Sequence, residues 1–257
     1  MTTTKLFAVA TITLSVLSFC SFTNAATLVA RYAFENAGSL GDDSSGMGNH
    51  ASTVTNVAAV AGWQGGGAFF DESLPSTFAK NGGLTGYNQL SGMSMAAWVK
   101  MSPAAGGFNG IISQDTGGCC LTRILFTSGH TPYLNVSQHS DRNMGGTGIP
   151  LDDWAHIALT AEPNGLARFY INGVEHESSP QQFNALPDAS TWNTYLGAGE
   201  AGSAHRMTGA LDDVRVYEGV LTQQEVLSLM VVIPEPSSLT LAALGLLALL
   251  GFTRRRK

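Results

Sequence analysis

Residues 154–175, WAHIALTAEPNGLARFYINGVE, constrain the fold more than any other stretch of the chain. In residues 154–162, His156, Ala158 and Thr160 alternate with Ala155, Ile157, Leu159 and Ala161, the two-residue period of a strand. Pro163-Asn164-Gly165 then reverses the chain, because Pro restricts φ and Asn-Gly tolerates φ > 0. Residues 166–172 set Leu166, Arg168, Tyr170 and Asn172 against Ala167, Phe169 and Ile171. Asn172-Gly173 supplies a two-residue hairpin turn before Val174-Glu175. Two hairpins in succession predict a meander in an antiparallel sheet, and so an all-β chain.

Length and composition agree with that class. A chain of 257 residues without an internal repeat or a central Pro-rich linker fits one large β domain. Only 12% of its residues are charged, against about 25% in an average soluble protein, so Ser, Thr, Asn, Gln and Gly must supply the polar surface. Setting aside both chain ends leaves eight Lys and Arg against eighteen acids, a net charge of −10. That balance, with no basic stripe, excludes nucleic acid as a partner. It suits solubility or a bound cation.

Further strands are expected at 28–34, at 94–100 with Trp98 in the core, and at 110–113, 121–126, 133–136, 192–196 and 206–217. Thr222 and Glu225 have capping-box spacing, which predicts a short helix through Leu229. Gly65-Gly66-Gly67 is no phosphate loop, since neither Lys-Ser/Thr nor a helix pattern follows. Cys119 and Cys120 are adjacent: their Cα atoms lie about 3.8 Å apart, below the usual disulfide range of about 4.4 Å and more. A strained vicinal bridge, two free thiols and an intermolecular pair all stay open; neither His130 nor His139 is placed to complete a zinc site.

The ends read as export signals. Residues 1–25 carry Lys5, an apolar run and Thr-Asn-Ala, a signal peptide cleaved after Ala25. Cys20 as a lipidated cysteine is the competing reading, and bulky Phe19 before it fits poorly. Pro234-Glu235-Pro236 opens the tail, 239–252 is uncharged and apolar, and Arg254-Arg255-Arg256-Lys257 closes the chain. The basic end stays cytoplasmic, which places everything before it outside the inner membrane.

The Trp-x-His strand, the Pro-Asn-Gly turn and the Tyr-Ile-Asn-Gly strand, in that order, resemble the laminin-G-like, concanavalin A-like domains of exported bacterial proteins. So do Ala61–Asp71, Trp98 and its strand, and Gly209-x-Leu-Asp212-Asp213-Val-Arg215. The resemblance covers roughly residues 27–230 and implies a concanavalin A-like jelly-roll sandwich of two antiparallel sheets, with first and last strands together. The expected organisation is a signal peptide at 1–25, the jelly-roll domain at 26–232 and a sorting segment at 233–257 containing a C-terminal hydrophobic helix. The tail closely resembles the PEP-CTERM sorting signal. That implies transient anchoring in the inner membrane of a Gram-negative bacterium, processing by an exosortase, and release to the surface or medium; a permanent anchor is the alternative.

Asp43-Ser-Ser-Gly-x-Gly-Asn49-His50 resembles a loop that follows the first strand of such domains. One reading has Asp43 and the serines bonding their own turn. The other makes Asp43 and Asn49 part of a calcium site, completed by Asp212, with Asp213 as the alternative. Strand alternation puts Asp212 and Asp213 on opposite faces, so that only one could serve.

No active site is legible. The family's Glu-x-Asp-x-(x)-Glu pair of catalytic acids is absent, as are nucleophile-elbow and zinc-protease motifs. Glu175-His176-Glu177 has the right spacing but follows a turn, and His156 reads as a core or ladder histidine. The expectation is an exported, non-catalytic binding or structural protein contacting polysaccharide or a surface protein. A glycoside hydrolase lacking the usual motif is the alternative.

Overall fold

The structure, a computed structural model, describes residues 25–231 except 76, 104–105, 117–120, 138–139 and 200–202. The signal peptide, Cys119, Cys120, His139 and the sorting segment lie outside the described residues.

Two antiparallel sheets face each other across one apolar core. The first comprises β1 (Thr27–Tyr32), β3 (Ala58–Ala61), β4 (Gly66–Phe70), β6 (Met93–Met101), β11 (Ala155–Ala161), β12 (Leu166–Ile171), β13 (Val174–Glu175), β14 (Gln181–Gln182) and β16 (Gly209–Glu218). The second comprises β2 (Thr53–Thr55), β5 (Thr77–Lys80), β7 (Asn109–Asp115), β8 (Thr122–Phe126), β9 (Pro132–Asn135), β10 (Arg142–Asn143) and β15 (Asn193–Leu196).

The double hairpin forms as its pattern requires. Ile157 pairs with Ile171 and Leu159 with Phe169, while Asn172 and Gly173 take φ of 50° and 76° at the turn. Ala155, Ile157, Leu159, Ala161, Ala167 and Phe169 face the core, each buried large side chain contributing about 1.5–3 kcal/mol. The opposite row of β6 and β11, including Trp98 and His156, lies on the outer face. Trp98 is buried there rather than between the sheets, and His156 is its ladder partner.

β16 is the longest strand and the centre of its sheet. One edge pairs with β6 throughout; the other is shared by β4, along Gly209–Leu211, and by β1, along Val214–Glu218. First and last strands therefore do pair. The short helix α1 (Gln223–Ser228) starts on the expected capping box: Thr222 accepts from the Glu225 N–H, and the Glu225 carboxylate accepts from the Thr222 N–H. It lies on the outer face of the nine-stranded sheet, where Ala96, Ala158, Tyr170, Tyr217, Leu221 and Val226 form a second apolar cluster. Ala26 and Leu229, at opposite ends of the domain, both pack on that cluster.

Candidate functional site

The predicted calcium loop seals a sheet edge. β1 has β16 on one side only, and the segment 43–49 lies along the other. Asp43 Oδ1 accepts from the Arg31 N–H at 2.9 Å, Ser44 N donates to the Arg31 carbonyl at 2.8 Å, and Asn49 Nδ2 donates to the Val29 carbonyl at 2.7 Å. An exposed row of strand N–H and C=O groups invites pairing with other chains, and here a turn occupies it. The Asp43 carboxylate also accepts from the N–H groups of Ser45 and Asn49 and from the Ser45 hydroxyl. Burial opposes its charge, but these hydrogen bonds prevail and hold its pKa below the ordinary carboxylate value. Asn49 Oδ1 accepts from the Thr85 N–H at 2.7 Å and Nδ2 also donates to the Thr85 carbonyl. The oxygens proposed for a cation therefore already accept hydrogen bonds from the protein.

Asp212 and Asp213 depart from simple alternation. Asp212 pairs with Trp98 and Arg215 with Ala96, so Asp213 and Val214 share the space of one residue, a β-bulge with Asp213 at φ 47°. The bulge falls where the neighbour of β16 changes from β4 to β1. It corrects the expectation of opposite faces: Val214 returns to the core, and both acids stand on the outer face. Asp213 accepts from Arg31 Nε at 2.7 Å and from Arg215 Nε and Nη2 at 3.0 and 2.6 Å. Asp212, 2% exposed, accepts instead from the Gln64 N–H at 3.1 Å. Burial pushes its pKa up to about 6, with Asp213 and Glu35 adding to the rise. Asp43 is bonded to the Asn49 N–H, and Asp212 to the Gln64 N–H; among the described residues no three His, Cys, Asp or Glu side chains form a metal-holding group.

A different constellation occupies the outer face of the seven-stranded sheet. Register aligns Asn135, Arg123, Ser113 and Tyr195 in one row across β9, β8, β7 and β15, and all four are buried. Arg123 donates to both oxygens of Asp141, and Asn135 Nδ2 donates to the same carboxylate at 3.0 Å. Asn135 Oδ1 is buried without a partner. Tyr195 Oη accepts from Asn193 Nδ2 at 3.2 Å; burial and the Asp115 charge raise its pKa.

At one end of this row, Phe108 packs against Tyr133 at 4.6 Å and edge-on to His205 at 5.4 Å between ring centres. Phe108 remains 37% exposed. It lines an open cleft of about 520 Å³ with Glu72, Ser73, His205 and Arg206. Gly110 lets the segment at Ala198 lie on the sheet beside this cleft, since a Cβ there would come within 2.5 Å of the Ala198 backbone. Aromatic faces beside hydrogen-bonding side chains can hold a ring that is apolar on its faces and hydroxylated at its edge. The sequence reading missed Phe108, Tyr133, His205 and Arg206. The available signal was Gly-Gly-Phe-Asn-Gly, an aromatic set among glycines. A second cavity, about 430 Å³ beneath α1, has polar lining groups engaged with one another, as in the Thr222–Glu225 cap, and Arg168 bonded to Glu175 at 2.8 Å.

Residues 79–227, more than half of the chain, match the family model described as the concanavalin A-like lectin/glucanases superfamily. The chain belongs to that superfamily. Residues 232–257 match the PEP-CTERM protein-sorting motif, which carries export to the surface or exterior of a Gram-negative cell and processing by exosortase-type machinery. A search of curated protein sequences found no match. Among solved structures, this superfamily member is similar to domain 4 of AbnA, an extracellular GH43 arabinanase from Geobacillus stearothermophilus, in complex with arabinotriose. The identity is 25%, the TM-score 0.58, and 79% of this chain covers 98% of that one. The Trypanosoma rangeli sialidase gives 14% identity and TM-score 0.61, but the superfamily fold spans only 32% of it. The binding domain of Paraclostridial Mosquitocidal Protein 1 gives 15% and 0.61 over 51% of its length. The last two show a shared fold and nothing finer.

Proposed function

We propose that this is an exported, non-catalytic carbohydrate-binding domain that holds extracellular polysaccharide on the outer face of its seven-stranded sheet. The observation that carries the reading is the Phe108–Tyr133–His205 aromatic cluster with Phe108 exposed on the open cleft; the neighbouring row of Asn135, Arg123, Ser113 and Tyr195 is buried and supports the cluster from beneath. The likeness to an arabinanase domain solved with arabinotriose supports a sugar as ligand, since it spans nearly all of that domain. The sorting motif supports a surface or matrix setting, where polysaccharide is abundant. The bonding of Asp141 to Arg123 and Asn135 supports a binding role over a pair of opposed catalytic acids.

The test is affinity electrophoresis of protein recovered from cells expressing the full chain, through gels containing soluble arabinan, xylan, mixed-linkage β-glucan or dextran. At least one polymer should retard the protein, and Phe108→Ala or Tyr133→Ala should relieve the retardation. Loss of polymer length during incubation would replace binding with hydrolysis.

A further inference from the structure

We propose a second saccharide-binding site on the opposite side of the sandwich, centred on Trp63, which makes the domain a bridge between polysaccharide chains. The bridging role rests on the binding face described above; the Trp63 site does not.

Trp63 is 43% exposed, whereas Trp98 and Trp192 are buried. Its ring stacks on Trp98 at 4.1 Å with 14° between planes, so one indole face is backed and the other meets solvent. The loop that carries it is fixed from both sides. Asp212 accepts from the Gln64 N–H and Glu35 from the Gly66 N–H at 3.0 Å, while Gly62 N donates to the Gly65 carbonyl at 3.0 Å. A Cβ at Gly62 would lie 2.6 Å from Asp212 Oδ2, and one at Gly65 2.2 Å from Glu35 Oε2. These close approaches account for the glycine-rich sequence: the loop fits tightly over two carboxylates and holds an indole outward.

Below the stack stands His156, 3% exposed, its ring edge-on to Trp98 at 5.3 Å and its Nδ1 buried without a partner. A rigid, half-exposed indole on a loop that also carries Gln64 and is held by Glu35 matches a pyranose ring, whose C–H face stacks while its hydroxyls find polar partners. The two sites lie on the outer faces of different sheets, so two bound chains run on opposite sides of one domain.

Three readouts on protein recovered from full-chain expression test this with the same four polymers. Tryptophan emission, compared between wild type and Trp63→Phe, isolates the signal of Trp63. At least one polymer should shift it, and Trp63→Phe, which keeps a ring, should still be retarded in the gel. Trp63→Ala should weaken retardation by about two- to tenfold, the factor for one aromatic contact. It should also abolish the turbidity that wild type produces when polymer is in excess, while its melting remains cooperative. A Trp63 emission unmoved by all four polymers, or turbidity that survives Trp63→Ala, would overturn the proposal. If Phe108→Ala leaves retardation intact and Trp63→Ala removes it, the face on the seven-stranded sheet is wrong, bridging falls with it, and the Trp63 site stands.

Discussion

Asp43 and Asp212 are two buried carboxylates whose environments drive them in opposite directions. Both lie close to β1 and β16, and both are largely withdrawn from water, at 9% and 2% exposure. Asp43 receives four hydrogen bonds from three backbone N–H groups and a hydroxyl. Asp212 receives only two, from the backbone N–H groups of Gln64 and Asp213, with the Asp213 and Glu35 carboxylates as negative neighbours. Burial raises the pKa of either group, and the number of donors decides whether it wins. The acid at the edge-sealing turn is held ionised; the acid beneath the tryptophan loop takes up a proton near pH 6.

The sharpest way to break this contrast is Asp43→Ala. It strips partners from the N–H groups of Arg31, Ser45 and Asn49 and reopens the edge of β1. A loss of about 4 kcal/mol is expected, at roughly 1–2 per abandoned donor. Calorimetry should show the midpoint about 10 °C lower. A midpoint within about 2 °C of wild type would mean the turn is dispensable.

Next in size is Asp213→Ala, which leaves Arg31 and Arg215 side by side without their shared acid. Because the cluster is partly exposed, about 2 kcal/mol is expected, less than for a fully buried pair. Arg31→Ala in the same background should recover part of it in a double-mutant cycle.

Smaller still is the effect of pH. Asp212 binds its proton more tightly in the folded state, so its contribution is full below about pH 4 and is lost as pH rises through about 6. His156 runs the other way: burial, aided by Arg215, lowers its pKa to about 4, so its contribution is present above its ordinary 6.5 and is lost as pH falls toward 4. Wild-type stability should therefore change little between pH 4 and 6.5. Asp212→Asn should expose the His156 slope, losing stability on acidification while matching or exceeding wild type at pH 7.5. Parallel melting curves for the two proteins across that window would show that Asp212 does not titrate there.

The least effect is expected from calcium. The donors that fill Asp43 and Asn49 leave the turn satisfied, so millimolar calcium against chelator should leave the midpoint in place. A rise of several degrees, abolished by Asp43→Asn, would establish the calcium site and give the turn a ligand-binding role.

These contrasts mark where the sequence could and could not be read. The double hairpin, the closing strand and the capping box were legible because each rests on residues adjacent in the chain: alternation, Asn-Gly turns, Thr222 with Glu225. Short edge strands such as β2, β10 and β14 carry too few residues for a period to emerge. The bulge at Asp213 was hidden because it answers to a change of neighbouring strand, which no local pattern records. Tyr133 looked like an ordinary strand residue, and Phe108 fell in the loop before a strand. Their exposure and mutual packing depend on loops more than twenty residues apart in sequence, including the one that brings His205.

Ala26 and Leu229, packed on the same apolar cluster beside α1, put entry and exit of the domain on one face. Whatever is joined to the domain at that exit meets the nine-stranded sheet first and leaves the outer face of the seven-stranded sheet on the far side.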